Sequence, residues 1–207
     1  MITQVDNFNI AVVILAGGKA QRLGGIHKGK IELPSGISII DKLIAELNCI
    51  GIQEIAISTN YPIAYQVYSK EIIPDLRKDI GPLAGIEAGL KHFAGRFSAV
   101  MFLPCDLPSI TSKQLSALKD SFLAKKGPAV FARTGESFYH PLCAVVNSGL
   151  ADNVSDAIDN GIRRPLKLWL QFAAYPVLFD SDAPFFNINN VQDYNKLHNL
   201  RSQSVGA

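Results

Sequence analysis

The chain is predicted to fold as a three-layer α/β protein with a mostly parallel central sheet and ligand sites at the carboxyl ends of its strands. Three observations carry this expectation. Strand-like and helix-like segments alternate along the chain. The first strand, residues 10–16, is a continuous apolar run suited to burial on both faces of a parallel sheet. That run breaks into Gly17 and Gly18, and within a dozen residues come Arg22, a second glycine pair and Lys28. Bare backbone amides at a sheet edge, with cations gathered beside them, are a place for phosphate.

The remaining elements follow in order. Residues 38–50 form an amphipathic helix with Ile40, Leu43, Ile44 and Leu47 on one stripe. Residues 52–58 read as a second strand, with a short helix near Tyr65 and a brief strand at Ile72 and Ile73 after it. Pro82 suits the first turn of a helix running to about Phe93. Residues 99–103 form the most hydrophobic strand, which ends at Pro104, Cys105 and Asp106. Thr111 or Ser112 caps a helix through Lys125, and residues 129–132 and 142–146 read as strands. Helices around 151–158 and 166–172 precede a last strand at 176–179. A terminal helix starts at Val191, with Asn190, followed by Asp193, at its N-cap. The tail from Ser202 is expected to fray.

Composition narrows the class. A length of 207 residues suits one domain with a real core, and 48% hydrophobic against 18% charged residues excludes a disordered chain. A net charge of +2 argues against a nucleic-acid surface. No apolar run reaches membrane-spanning length, and residues 1–9 lack the basic start and apolar stretch of a secretory signal, so a cytoplasmic protein with no membrane partner is expected. Cys49, Cys105 and Cys143 are odd in number, far apart and without a C-x-x-C pair, the pattern of reduced thiols and not of a zinc site or disulfide framework.

Two phosphate-loop templates fail. The dinucleotide fingerprint G-x-G-x-x-G is not supplied by Gly17, Gly18 and Lys19. The pattern G-x-x-x-x-G-K-[ST] nearly fits from Gly24 to Lys30, but Ile31 stands where a hydroxyl should bind magnesium, and the strand has already ended near Ala16. The strand ends themselves collect Gly17 and Gly18, Thr59 and Asn60, Pro74 and Asp75, and Pro104, Cys105 and Asp106. Each alone is more often a turn former or cap; their coincidence on one edge points to a site. Asp106, a lone carboxylate after the most buried strand, suits magnesium, which takes its remaining oxygens from phosphate and water. The alternative role is to cap the turn before Thr111.

Residues 15–28 resemble the nucleotidyltransferase signature L-A-G-G-x-x-x-R-M-G-G-x-D-K in the form found in molybdenum cofactor guanylyltransferases. Leu15, Ala16, Gly17, Gly18, Arg22, Gly24, Gly25 and Lys28 match, and Leu23 stands in for Met. His27 replaces the family's Asp, which removes a negative charge beside the phosphates and any structural salt bridge that Asp makes. The resemblance continues in order through nearly the whole chain. Asp75 with the segment from Gly81 to Ile86 is similar to an aspartate and G-P-L-A-G element. Residues 102–108 resemble P-C-D-x-P, His140 and Pro141 an H-P element, and Asn187 and Asn189 an N-x-N element. The family usually has Thr-Pro after its second Asn, where this chain has Asn190 and Val191.

The resemblance implies a Rossmann-like nucleotidyltransferase fold in one domain over 1–207, with a nucleotide-binding part at about 8–110 and an acceptor-binding part at about 111–200. It implies transfer of GMP from Mg-GTP to the terminal phosphate of molybdenum-molybdopterin, releasing pyrophosphate. Lys28, Asp106 and Arg22 would be catalytic. Leu15, Ala16, Gly17, Gly18, Lys28, Asn60, Asp75 and Asp106 would bind GTP, with Mg2+ on Asp106. Asn187, Asn189 and Arg164 would face the pterin, with turn and cap positions the alternative role for Asn187 and Asn189, while His140 is read as a strand-start residue and not a base. Since the attacking group is already a phosphate oxyanion, no strong base is needed, and the chain offers no Ser/His/Asp triad. Implied partners are the two substrates, with transient contact to molybdenum cofactor biosynthesis proteins or molybdoenzymes. Two alternatives stand beside this reading. One is a relative using CTP (whose signature usually reads L-A-A-G) or a sugar-phosphate acceptor, in longer chains. The other is a catalytically silent nucleotide-binding regulatory protein, favoured by His27 and opposed by Lys28 and Asp106.

Overall fold

The computed structural model describes residues 9–17, 19–20, 26–190 and 192–195. Its main sheet has seven strands: β1 (Ile10–Leu15), β4 (Ile55–Ser58), β5 (Glu71–Ile73), β6 (Ala99–Pro104), β7 (Ala129–Thr134), β8 (Phe138–Asn147) and β9 (Tyr175–Phe179). Their order is β5-β4-β1-β6-β8-β7-β9. Every neighbouring pair is parallel except those made by β8, which runs antiparallel to both β6 and β7. The expected mostly parallel sheet is therefore present, with one reversed strand near its middle. Two two-residue strands, β2 (Lys19–Ala20) and β3 (Ile26–His27), pair as a separate antiparallel ribbon within the glycine-rich segment.

Helices cover both faces, and the short α2 (Pro62–Tyr65) follows β4. On one side α1 (Ile39–Cys49) and α4 (Ser112–Lys125) bury Ile40, Leu43, Leu47, Leu118 and Phe122 against Val12, Ile14 and Met101. On the other, α3 (Leu83–Phe93), α5 (Ala151–Asp159) and α6 (Pro165–Gln171) pack on Val13, Val100 and Phe102. Residues 11–14 of β1 are 0% exposed, so its unbroken apolar run reflects burial on both faces. The caps follow the sequence. Ser38 Oγ accepts from Asp41 N at 3.1 Å, Thr111 N donates to Gln114 Oε1 at 3.2 Å, and Asn190 Oδ1 accepts from Asp193 N at 2.9 Å. The last of these caps the helical residues 192–195; Val191 and the continuation of that helix lie outside the described residues.

Two elements depart from expectation. β4 starts at Ile55, not at residue 52. β8 starts at Phe138, four residues before the apolar run, because it pairs with β7 on both sides of an irregularity at Phe131 and Ala132, and Gly135 turns the hairpin with φ +54°. Among the described residues no helix is long and apolar enough to cross a membrane.

Helix α3 sits unusually close to the sheet because it carries glycine where it crosses the strands. A Cβ on Gly89 would lie 2.7 Å from Val13 Cγ2 and 2.9 Å from Phe102 Cε1, and one on Gly85 would lie 2.6 Å from Ser58 Oγ. These contacts outweigh the ~1 kcal/mol that glycine costs a helix interior. We expect Gly89→Val to lower stability by about 1–3 kcal/mol through overpacking, measured by urea unfolding. An unchanged midpoint would show that α3 can move away from the sheet.

Candidate active site

The carboxyl ends of β1, β4, β5 and β6 open onto a cleft of about 340 Å³ whose walls include Leu15, Gly17, Lys28, Asp75, Gly85 and Asp106. Residues from four separate strand ends thus meet, as the sequence predicts. At one end Lys28 Nζ donates to Asp106 Oδ2 at 2.9 Å and to Asn189 Oδ1 at 2.6 Å. Lys28 opens a short 3-10 turn, Lys28–Lys30, and Asp106 follows β6, its carbonyl accepting from Ile188 N at 3.2 Å. That backbone bond draws Asn187 and Asn189 to the sheet edge.

The second Asp106 oxygen, Oδ1, is buried and has no hydrogen-bond partner among the described residues. A buried carboxylate oxygen left unpaired beside the cleft calls for an occupant. A hard divalent cation fits it, since magnesium needs one or two carboxylates and draws the rest of its shell from phosphate and water. Among the described residues no three His, Cys, Asp or Glu side chains cluster as a ready-made cage. The neighbouring thiols offer nothing to such chemistry. Burial, reinforced by the Asp106 charge, pushes Cys105 up to about 12 and Cys143 higher still, so both stay protonated.

At the other end of the cleft Asn60 and Asp75 hold each other. Asn60 Nδ2 donates to Asp75 Oδ2 at 2.7 Å, and Asp75 N donates back to Asn60 Oδ1 at 3.2 Å. Asp75 lines the cleft; Asn60 stands behind it and sets the carboxylate's orientation. At the end of β1, Ala16 is buried, and its carbonyl accepts from Thr59 Oγ1 at 3.1 Å. Among the described residues a Cβ on Gly17 would meet nothing within 4 Å, so open space lies against the backbone there. Asn60→Ala should leave the fold intact and raise the nucleotide KM by roughly 10-fold through a freed Asp75, a loss comparable to one charge-assisted hydrogen bond. An unchanged KM would separate Asn60 from the site.

A second cavity of about 240 Å³, lined by Leu107, Tyr139, His140, Pro165 and Asn187 among others, adjoins the first and shares Pro82, Pro104 and Leu142 with it. Asn187 therefore belongs to this second cavity, whereas Asn189 sits with Lys28 and Asp106. Arg164 is exposed at the N-cap of α6 beside Pro165. His140 is the third residue of β8 and not its start. Its Nε2 lies 2.9 Å from Thr134 Oγ1, its ring stacks on Phe185 at 4.5 Å, and burial lowers its pKa, which favours the neutral ring. Gly18, Arg22, Gly24 and Gly25 lie outside the described residues.

One feature of the site was not read from the sequence. Glu87 of α3 is only 1% exposed and receives Arg77 Nε on both oxygens, at 3.1 and 2.8 Å, while Arg77 also pairs with Asp159 of α5. Asp159 first, then Glu87, holds the guanidinium above its ordinary pKa. The clasp pins the segment between Asp75 and α3, which forms one wall of the cleft. Its signal was a glutamate inside the apolar stripe of Leu83, Ile86 and Leu90, since a buried charge must have a partner.

With this geometry in place, the sequence pattern of the MobA-like NTP transferase domain matches residues 12–174. The chain belongs to the MobA-like NTP transferase family. It is accordingly a nucleotidyltransferase. The chain is 36% identical over 190 residues to the molybdenum cofactor guanylyltransferase of Serratia proteamaculans, covering 89% of this chain and 91% of that one. It is 34% identical over 188 residues to the protein of the same name from Pseudomonas fluorescens, covering 88% and 90%. Among solved structures, molybdopterin-guanine dinucleotide biosynthesis protein A from Archaeoglobus fulgidus superposes with a TM-score of 0.75 at 24% identity, covering 93% of this chain and 99% of that one. A CMP:2-keto-3-deoxy-manno-octonic acid synthetase complexed with CTP gives a TM-score of 0.72 at 13% identity, covering 95% and 99%. The MobA-like fold is therefore shared by enzymes whose names call for different bases, and the fold alone does not choose between them.

Proposed function

We propose that the protein transfers GMP from Mg-GTP to the terminal phosphate of molybdenum-molybdopterin, releasing pyrophosphate. The observation that carries this reading is the meeting of Lys28, Asp106 and Asn189 in a cleft that opens directly onto a second cavity. One space takes a nucleotide and the next takes an acceptor. The guanylyl assignment is supported by the names of the relatives that align along nine-tenths of the chain.

In this reading Asp106 holds the magnesium ion, which when bound supplies Lewis-acid polarisation of the α-phosphate. Lys28, with Arg22 and the loop amides that follow β1, offsets the triphosphate charge. Asp75, oriented by Asn60, accepts hydrogen bonds from the guanosine, while Asn187 and Arg164 serve the pterin side. The acceptor is itself a phosphate oxyanion, so the protein's work is alignment and neutralisation, with no proton to remove. His140, its Nε2 engaged with Thr134 Oγ1, is in keeping with a site that needs no base. Residues to about 110 then supply the nucleotide half and later residues most of the acceptor half. The same reading puts the reaction in the cytoplasm, with molybdenum cofactor biosynthesis proteins or molybdoenzymes as transient partners.

The test is a side-by-side assay of GTP and CTP with molybdenum-molybdopterin and magnesium, following pyrophosphate and the dinucleotide product. Turnover with GTP well above that with CTP is expected. Preferred CTP turnover would overturn the guanylyl assignment, and GTP binding without pyrophosphate release would leave a silent regulatory protein.

A further inference from the structure

His27 is where this chain leaves the signature it otherwise follows, and its surroundings give the replacement a physical role. It is the last residue of β3, held by the ribbon pairing with Lys19, and it is the N-cap residue of the turn that carries Lys28. A shift of the His27 backbone therefore moves Lys28. Its ring centroid lies 5.0 Å from that of Tyr61, tilted by 55°, and 5.5 Å from that of Tyr65, edge-on at 70°. Both distances fall in the range where aromatic rings attract beyond simple burial.

These two tyrosines are the N-cap and the last residue of α2, the helical turn after β4. Tyr61 directly follows Asn60, and its N–H donates to Thr59 Oγ1 at 3.1 Å. Thr59 in turn donates to the Ala16 carbonyl at the end of β1. Tyr65 is 0% exposed and is one of the largest side chains in the core beneath α1. It meets Tyr68, whose hydroxyl donates to Ser38 Oγ at 3.1 Å at the start of α1. The aromatic series is thus fixed at its far end and meets the glycine-rich segment at His27.

We propose that His27 is a positioning residue for nucleotide binding, its ring packed against Tyr61 and Tyr65 so that the Lys28 turn is tied to the loop that carries Asn60. The tie sets the span between the cation at one end of the cleft and the Asn60–Asp75 pair at the other. It works by ring packing, where the signature carries a charge. A carboxylate in the same place would give up both ring contacts and set a partly desolvated charge against aromatic side chains. This inference rests on the reading that Lys28 and Asn60 serve opposite ends of one nucleotide.

The test compares Kd for Mg-GTP, and KM and kcat, for His27→Ala, His27→Asp, His27→Phe, Tyr61→Ala and the His27→Ala, Tyr61→Ala double variant, each checked for folding by its thermal melt. Loss of the ring contacts in His27→Ala, His27→Asp or Tyr61→Ala should weaken GTP binding by about 3- to 10-fold with kcat little changed. His27→Phe should bind as the natural protein does. The double variant should be no weaker than the weaker single one, because both remove the same tie. His27→Phe as weak as His27→Ala would overturn the proposal, particularly if His27→Lys restored binding, which would mean direct contact of a cation with phosphate. Strictly additive losses, or tighter binding by His27→Asp, would overturn it as well. If the protein prefers CTP, the same comparison is made with Mg-CTP, so the choice of base and the role of His27 fail separately.

Discussion

Asp106→Ala should lose transfer activity by about 10³-fold or more while the protein remains folded, because in the proposed function it removes the carboxylate that would hold the metal against the phosphates. Two features of the site make the expected loss large. Among the described residues Asp106 Oδ1 is buried without a partner, Oδ2 shares Lys28 with Asn189, and no three His, Cys, Asp or Glu side chains cluster there to take over. The fold should tolerate the change, since the backbone carbonyl of Asp106, and not its side chain, accepts from Ile188 N. Pyrophosphate release and a thermal melt on the same preparation separate the two effects. Asp106→Asn keeps the shape and removes the charge, and it should be nearly as inactive. Near-normal turnover in either folded variant would take Asp106 out of the chemistry.

Lys28→Met is expected to reduce kcat/KM by about 10²-fold, the loss typical of one donor aimed at developing phosphate charge. Methionine keeps most of the length and apolar stem of lysine, so packing changes little. What disappears is the ammonium group that bonds Asp106 and Asn189 together. Lys28→Arg should not restore full activity, because a longer, planar guanidinium does not reproduce the compact ammonium placed between Asp106 Oδ2 and Asn189 Oδ1. The loss should appear in both KM and kcat, unlike the binding effect expected at His27. Steady-state kinetics with GTP varied at saturating acceptor would show it. Equal kcat for Lys28→Met and the natural protein would reduce Lys28 to a structural cation.

Much of this architecture was legible in the sequence because burial and capping are local signals. The runs that became β1 and β6 are apolar throughout, as strands covered on both faces must be, and Ser38, Thr111 and Asn190 each cap the helix they precede. The direction of β8 was not legible. Its apolar run from 142 to 146 would look the same in either orientation, since both faces are buried in both cases. The β2–β3 ribbon was invisible because two-residue strands leave no periodicity.

The site divides along the same line. Strand-end residues Gly17, Asn60, Asp75 and Asp106 could be found one by one, since each follows an apolar run. Their pairing could not. Nothing in spacing couples Arg77 to Glu87 and Asp159, or assigns Asn187 to the second cavity and Asn189 to Lys28. Such contacts are set by how the strands are ordered in the sheet, which local sequence does not specify. His27 shows the limit most clearly. Its departure from the signature was visible at once, yet its aromatic neighbours come from the start and end of the short helix α2 beyond the next strand.

The bond between Lys28 and Asn189 joins residues 161 positions apart. Translation runs from the first of them to the second, and domains generally gather structure in that order. While the chain is still on the ribosome, the glycine-rich segment, Asp75 and Asp106 have all emerged before the asparagine that completes the grip on the lysine. A nascent chain halted short of residue 189 would own most of the sheet and an unfinished nucleotide pocket. Chemistry would be among the last properties the growing polypeptide acquires.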